Sequence, residues 1–367
     1  MHSLLREGYG LWRRTIPNLS MRFRQPYTYL YYIDEGKDWV IKWLGQSILH
    51  RLHQQVGLEG QVTPVSEGIE RQLIHFGSRN VYFTGGYRRV HASNRVVVTW
   101  FHGSAGDPNP ENQQMISRLP ERVPHVHRLV TASSTIRDRL LTWGVPAAKL
   151  AVIPLGVDLR QFRPPAPEER RWRRTQLGIP DGTLCIGSFQ KDGHGWGEGM
   201  EPKLIKGPDL FLEVVRKLAR RYRVYVLLTG PARGFVKRGL EALGVPYRHD
   251  YLSDHAQIVP YYHCLDLYLV TSRDEGGPLS VLESMATGVP VVSSRVGMAA
   301  DLLINGENGY LVDVEDVEGL TEAAARLLEG PALRQRCVEH GLETITGYDW
   351  PLVARQYYER VYRYLFS

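Results

Sequence analysis

Cysteine is scarce, with three in 367 residues: Cys185, Cys264 and Cys337, far apart and without a Cys-x-x-Cys pair. That spacing excludes a disulfide framework and a cysteine-rich zinc site, and it makes a reducing cytosol the expected setting. Long hydrophobic runs are also lacking, since none reaches the roughly 20 residues that a membrane-spanning helix needs. The opening stretch holds Arg6, Arg13, Arg14, Arg22 and Arg24 but no apolar core of signal-peptide length, so a cytoplasmic protein is expected. Several reaction signatures are missing as well. Without an Asp-x-Asp pair or a His/Cys cluster of metal-ligand spacing, neither a metal nor a cofactor is expected. The absence of Gly-x-x-x-x-Gly-Lys-Ser/Thr disfavours a phosphate-loop NTPase, and that of Gly-x-Ser-x-Gly an α/β-hydrolase. No Gly-x-Gly-x-x-Gly follows the first predicted strand, which disfavours a nicotinamide dehydrogenase.

What is present is uneven in charge. Residues 1–160 carry 20 Lys and Arg against 12 Asp and Glu, whereas residues 161–367 carry 25 against 27. A basic front half suits an anionic partner such as a phospholipid surface, a lipid phosphate or nucleic acid; scattered solvated arginines explain it equally well. With 43% hydrophobic and 23% charged residues the chain is an ordinary globular protein, and its length suits about two domains. The Pro/Arg/Glu-rich stretch near Arg163–Arg174 marks the boundary, giving domains 1–162 and 163–350.

Hydrophobic patterning predicts strands over 27–33, 72–76, 80–84, 96–101, 128–132 and 150–154 in the front half. In the back half it predicts them over 184–188, 224–229, 265–271, 289–293 and 310–312. Helical spacing covers 39–54, 135–143, 208–222, 278–287, 319–328, 332–346 and 351–366. Strands alternating with helices imply parallel sheets with right-handed crossovers. Two doubly wound, Rossmann-like α/β domains are the expected fold. The last helix repeats Val353, Tyr357, Val361 and Leu365 every four residues, a stripe that must bury against something.

Ligands of open parallel sheets bind beyond the carboxyl ends of the strands, so the loops there carry the candidates. After the strand at 265–271 comes Ser-Arg-Asp-Glu-Gly-Gly-Pro-Leu-Ser-Val-Leu-Glu, residues 272–283. Gly276 and Gly277 let a ligand approach the backbone, Pro278 suits a first helical position, and the helix tip at Leu279 and Ser280 offers an anion site. Glu275 and Glu283 flank that tip. Carboxylates repel phosphate, so the pair is expected to accept hydrogen bonds from sugar and ribose hydroxyls while a diphosphate docks on the amides. The alternative is a capped surface helix with two solvated glutamates. After the strand at 184–188 lies a glycine-rich loop with Lys191, Lys203 and Lys206, cations able to steady charge on a departing diphosphate, or else an exposed flexible loop. In the front half His102 and Gly103 follow a strand and face the expected interdomain crevice. Gly36, Lys37 and Asp38 follow the first strand and are the candidate acceptor-side loop.

These residues resemble a known family. Glu275 and Glu283, with seven residues between them, inside Glu-Gly-Gly-Pro-Leu-Ser-Val-Leu-Glu-Ser-Met-Ala-Thr-Gly-Val-Pro-Val-Val, look like the signature of retaining glycosyltransferase family 4, of GT-B fold. Residues 297–312, 131–134 and 153–158 fit the same pattern. The resemblance implies a nucleotide-diphosphate-sugar donor on the C-terminal domain and a glycan, lipid or small-molecule acceptor on the N-terminal one. It also implies transfer with retention and no metal. Glu275 would hold the donor sugar, Glu283 the ribose, and Lys206 the diphosphate. His102 would stand near the reacting sugar, the base would meet backbone near Tyr251 and Leu252, and residues 351–367 would pack back on the N-terminal domain. Three departures stand out: the family's Gly-Arg after the strand at 184–188 is replaced by Gln190 and Lys191, the loop from Lys191 to Lys206 is long, and the first strand is not followed by a glycine-rich loop. A nucleotide-sugar 2-epimerase, a sugar phosphorylase and a non-catalytic module of the same fold are the competing readings. Peripheral contact with an anionic membrane stays open, and nucleic acid is not the expected partner.

Overall fold

The computed structural model describes residues 26–37, 40–106 and 109–366. The arginine-rich opening stretch, Asp38, Trp39 and Asp107 lie outside the described residues. Two compact units form, Met1–Pro154 with Trp350–Ser367, and Leu155–Asp349.

In the first unit, β1 (Tyr29–Ile33), β2 (Glu59–Thr63), β3 (Leu73–Phe76), β4 (Arg95–Thr99), β5 (Arg128–Thr131) and β6 (Leu150–Val152) form one sheet in the order β2-β1-β3-β4-β5-β6. Every pairing is parallel. Apolar β1, β3, β4 and β5 read as continuous hydrophobic runs because helices cover both faces of such a sheet. Its helices include α1 (Val40–Val56), α2 (Arg79–Phe83), α3 (Pro110–Ser117) and α4 (Ser134–Thr142). A strand was expected over 80–84, and the structure corrects this to α2. Ser78 Oγ accepts from the Asn80 amide and caps the helix, and an apolar run of only three residues, Val81 to Phe83, satisfies either period once Tyr82 and Phe83 are buried.

In the second unit, β7 (Leu184–Phe189), β8 (Val224–Thr229), β9 (Tyr247–Asp250), β10 (Leu267–Val270), β11 (Val291–Ser294) and β12 (Tyr310–Val312) pair in parallel in the order β12-β11-β10-β7-β8-β9. Its helices include α5 (Pro167–Gln176), α6 (Pro208–Ala219), α7 (Gly234–Leu243), α8 (Leu279–Ala286), α9 (Val317–Glu329) and α10 (Pro331–Ile345). The charged stretch read as a boundary is α5, which buries none of its residues. Arg170 and Arg174 instead fasten it by donating to Asp266 and to the carbonyls of Leu265, Cys264 and Thr183.

The chain ends in α11 (Trp350–Tyr357), continued by a π turn over Tyr358–Tyr362 and a last helical turn to Phe366. Its apolar stripe is buried in the first unit, against α1. Buried His75 bonds Tyr362 and Thr99 there, and burial alone lowers its pKa to about 3, so it is neutral. Among the described residues no helix is long and apolar enough to cross a membrane.

Candidate functional site

In the second unit, strand order reverses between β7 and β10, and the loops leaving those two strands open a crevice beyond their carboxyl ends. Lys206 ends the loop after β7, and Glu275 follows β10 by five residues. The reversal brings them together: Lys206 Nζ donates to Glu275 Oε1 at 2.5 Å, and Ser272 Oγ donates to the same oxygen at 3.1 Å. The loops are stitched side by side. Thr271 Oγ1 donates to the Gly207 carbonyl at 2.8 Å, and the Arg273 amide donates to the Ile205 carbonyl at 2.8 Å. Gly207 has φ +61°, and a Cβ there would strike the Thr271 carbonyl, so only glycine allows the close approach. Arg273 grips Asp209 with two bonds, reaches Glu315 and the Leu204 carbonyl, and so fixes the turn that carries Lys206. The hydrogen bonds it donates to Asp209 and Glu315 hold its guanidinium pKa above the usual value despite burial.

The helix tip differs from expectation in one respect. Pro278 is the capping residue outside α8, not its first turn, and having no N–H it donates nothing. The first amides of α8, those of Leu279 and Ser280, have no intrahelical acceptor, and no side chain caps the helix. Met298 N–H donates to the Gly276 carbonyl, and Gly297, at φ +43°, lies where a Cβ would meet Glu275 and Gly276 backbone. The Glu275–Gly277 turn is thereby held from behind.

The glycine-rich loop also departs from expectation. Gly193 and Gly199 pack against the backbone of Ala232, and Gly234 against Glu198 and Met200, so these glycines serve the protein's own packing and not a ligand. Beneath them Arg233, fully buried, donates to the carbonyls of Ser188, Gln190 and Thr229, and its Nε lies 3.0 Å from Asp192 Oδ1. Burial raises the Asp192 pKa, against the opposing pull of Arg233. Neither residue was singled out in the sequence; an arginine set among small residues, Gly-Pro-Ala-Arg-Gly, at a strand's carboxyl end was the available signal. Lys191 lies over the Trp196 ring at 4.2 Å. Burial, then the charges of Lys191 and Lys206, push the Lys203 pKa down. Three cations crowd one loop end, and such crowding is relieved by an anion.

Glu283 is almost wholly buried. Its Oε1 accepts from His255 Nε2 at 2.6 Å and its Oε2 from the Tyr262 hydroxyl at 2.6 Å. Neither glutamate of the pair is therefore a solvated surface group. Tyr262 stands in an aromatic cluster with Phe189 and Tyr268, and the Tyr268 hydroxyl in turn accepts from the Phe189 amide at 2.8 Å. Tyr251 is exposed and Leu252 half-buried on the loop after β9.

In the first unit, two arginines hold the loop after β4. Arg79, buried over the Trp100 ring, donates to the His102 carbonyl and to Asn112 Oδ1, and Arg139 donates to the Gly103 carbonyl at 3.0 Å. Arg79 Nη2 also lies 3.4 Å from His102 Nδ1. A guanidinium only donates, so Nδ1 accepts and the imidazole proton sits on Nε2. Gly36 and Lys37 are exposed after β1, with the Gly36 amide bonded to Asp34 Oδ1. Among the described residues no group of three or more His, Cys, Asp or Glu is placed to hold a metal ion.

Two family models match the chain, "Glycosyl transferases group 1" over residues 201–344 and "Glycosyltransferase Family 4" over 61–161. The chain belongs to the GT4-type glycosyltransferases of GT-B fold. Among curated proteins, this GT4-type chain is 28% identical over 230 residues to D-inositol 3-phosphate glycosyltransferase of Corynebacterium urealyticum, covering 59% of this chain and 52% of that protein. It is 33% identical over 198 residues to lipopolysaccharide core biosynthesis mannosyltransferase LpcC of Rhizobium leguminosarum bv. viciae, covering 52% of each. The chain thus spans about half the length of these curated relatives. Among solved structures, Alr3699/HepE of Anabaena in complex with UDP and glucose matches with TM-score 0.74 at 18% identity, covering 91% of this chain and 99% of that one. Sucrose-phosphate synthase of Thermosynechococcus elongatus matches with TM-score 0.67 at 20% identity, covering 89% of this chain and 79% of that one.

Proposed function

We propose that this GT4-type protein moves a sugar from a nucleotide-diphosphate sugar to an acceptor hydroxyl with retention at the anomeric carbon, and needs no metal to do so. The observation that carries the reading is the Lys206–Glu275 pair at the strand-order reversal, on the loop that leads into the uncapped start of α8. An ammonium has three N–H donors and Glu275 takes one, which leaves two for a diphosphate. Lys206 standing between them also lets a carboxylate and a phosphate share one site, because the cation screens their repulsion.

In the reaction, the bond from the anomeric carbon to the phosphate oxygen breaks while a bond to the acceptor oxygen forms on the same face. The acceptor's hydroxyl proton passes to the departing diphosphate oxygen, and the nucleoside diphosphate leaves. Lys206, Lys191 and the α8 amides steady the negative charge that develops on the leaving group. Glu275 accepts hydrogen bonds from the donor sugar's hydroxyls, His102 donates from Nε2 to a sugar hydroxyl, and Glu283 accepts from the ribose. Gly36, Lys37, Asp38 and Gly103 form the acceptor side, with a glycan, lipid or small molecule as the acceptor. Tyr251 and Leu252 lie beside the base. Anabaena Alr3699/HepE has been seen with UDP-glucose, which makes UDP-sugars the first donors to try.

The test is transfer from UDP-, GDP- and ADP-sugars to a panel of acceptors by the full chain. Lys206→Ala and Glu275→Gln are each expected to lower kcat/KM by about 10²–10³-fold with little change in Tm. Undiminished transfer by either variant sinks the assignment. Turnover of the donor without any acceptor would mark an epimerase instead.

A further inference from the structure

The carboxylate of Glu283 is held on both oxygens by residues that the motif around it does not contain. His255 Nε2 donates to Oε1 and the Tyr262 hydroxyl to Oε2, each at 2.6 Å. Both donors are themselves fixed. Asp254 Oδ1 accepts from the Ala256 amide and caps the turn that carries His255, whose ring lies 5.6 Å from that of Phe162. Tyr262 is wedged between Phe162, Phe189 and Tyr268, at centroid distances of 6.2, 4.8 and 5.6 Å. A carboxylate has about four lone-pair sites; two are taken here, one on each oxygen, and one on each oxygen remains. Two acceptor positions set about 2.2 Å apart in one plane, the width of a carboxylate, match the paired hydroxyls of a ribose.

We propose that His255 and Tyr262 are positioning residues for Glu283, and that the carboxylate so oriented reads a vicinal ribose diol, admitting ribonucleotide donors over deoxyribonucleotide ones. The inference rests on the donor reading above and adds to it the two residues that set the sugar-ring discrimination. A protonated His255 places a cation against the buried Glu283 carboxylate. The charged groups facing His255 are Glu283 and Asp254, both acidic. Their combined attraction outweighs the burial that would lower its pKa, which is therefore raised.

The experiment is calorimetric titration of the full chain with UDP, GDP and ADP, then with the 2′-deoxy and 3′-deoxy forms of whichever binds best. Wild type is expected to prefer the ribo form by about tenfold or more, the effect of one lost hydrogen bond to a charged acceptor. In His255→Gln, Tyr262→Phe and Glu283→Gln that preference is expected to shrink to within about threefold. A merely structural His255 would lower Tm and weaken every nucleotide alike, leaving the ratio intact. Loss of the ratio in Glu283→Gln with full retention in both His255→Gln and Tyr262→Phe overturns the proposal. So does a wild type that binds nucleotide with no preference, an outcome that leaves the donor reading standing. Failure of the wild type to bind any of the three nucleotides removes both.

Discussion

The two units carry sheets of the same kind, six parallel strands with one reversal of strand order, yet they treat charge at the carboxyl ends of their strands in opposite ways. In the first unit the reversal lies between β1 and β3, where the Tyr32 ring fills the space beside Gly77 and the Tyr32 phenol is pushed well above its usual pKa by burial. Nearby Arg79 and Arg139 donate to backbone carbonyls of the loop after β4. In the second unit, Lys191, Lys203 and Lys206 gather at one loop end with Glu275 as the acid bonded to Lys206. At each strand-order reversal the loops decide whether the cations nearby bond backbone carbonyls, as Arg79 and Arg139 do, or a carboxylate, as Lys206 does.

The sharpest way to break this contrast is through a fully buried cation of the second unit that does serve the fold. Arg233→Met strips buried Asp192 of its partner and three carbonyls of their donor. It is expected to cost about 3–5 kcal/mol in denaturant unfolding. A loss under 1 kcal/mol would show that Asp192 stands neutral without help.

Next in size is a paired test of the two reversals. Lys206→Ala is expected to weaken nucleoside diphosphate binding by about ten- to a hundredfold, because a charge-assisted bond is lost. Arg79→Ala, whose guanidinium faces the protein, should leave that affinity within about twofold. Equal losses from both would erase the distinction between fold-serving and ligand-serving cations.

Gly207→Ala forces a left-handed φ and a Cβ onto the Thr271 carbonyl. A loss of about 1–3 kcal/mol is expected from the strain, together with a raised donor KM as the Lys206 turn shifts. A Tm within 1 °C of wild type, about what an unstrained surface change gives, would mean that the two loops are not locked.

The smallest effect is a pH dependence. His255 holds its proton more tightly in the folded protein than in the unfolded chain, where its pKa is about 6.5. Its stabilisation is thus complete below that pH and fades as pH rises through the raised folded value. Buried neutral His75, whose folded pKa is about 3, works in the opposite sense, destabilising the fold as acid is added. The readout is therefore the Tm difference between wild type and His255→Gln from pH 5.5 to 8.5. That gap should narrow toward alkaline pH, and a constant gap would show that His255 does not carry the charge.

Much of the architecture was legible because burial writes itself into composition. Val224–Thr229 and Tyr310–Val312 stand where their apolar runs put them, and a helix begins between Glu275 and Glu283, where the turn residues put it. The edge strands β2, Glu-Gly-Gln-Val-Thr, and β9, Tyr-Arg-His-Asp, were not legible, since an edge strand is half wet and carries no apolar run. Helix α5 was not predicted as a helix for a related reason: it is fastened by arginine–carbonyl bonds, which leave no hydrophobic period. What Gly193 and Gly199 pack against was not legible, because a sequence cannot say what lies opposite a missing side chain; it is Ala232.

From its residue order alone, then, this chain determined two alternating α/β patterns, the helix tip ahead of Leu279, and the kinds of groups around it, because hydrophobic period and local backbone chemistry act between neighbours in sequence. Only the folded state decided which groups meet: Lys206 with Glu275 across 69 positions, His255 and Tyr262 on Glu283, Arg233 beneath a loop 41 positions earlier. Those pairings depend on strand order in the sheet, and strand order is set by long-range packing, which no local stretch of sequence encodes.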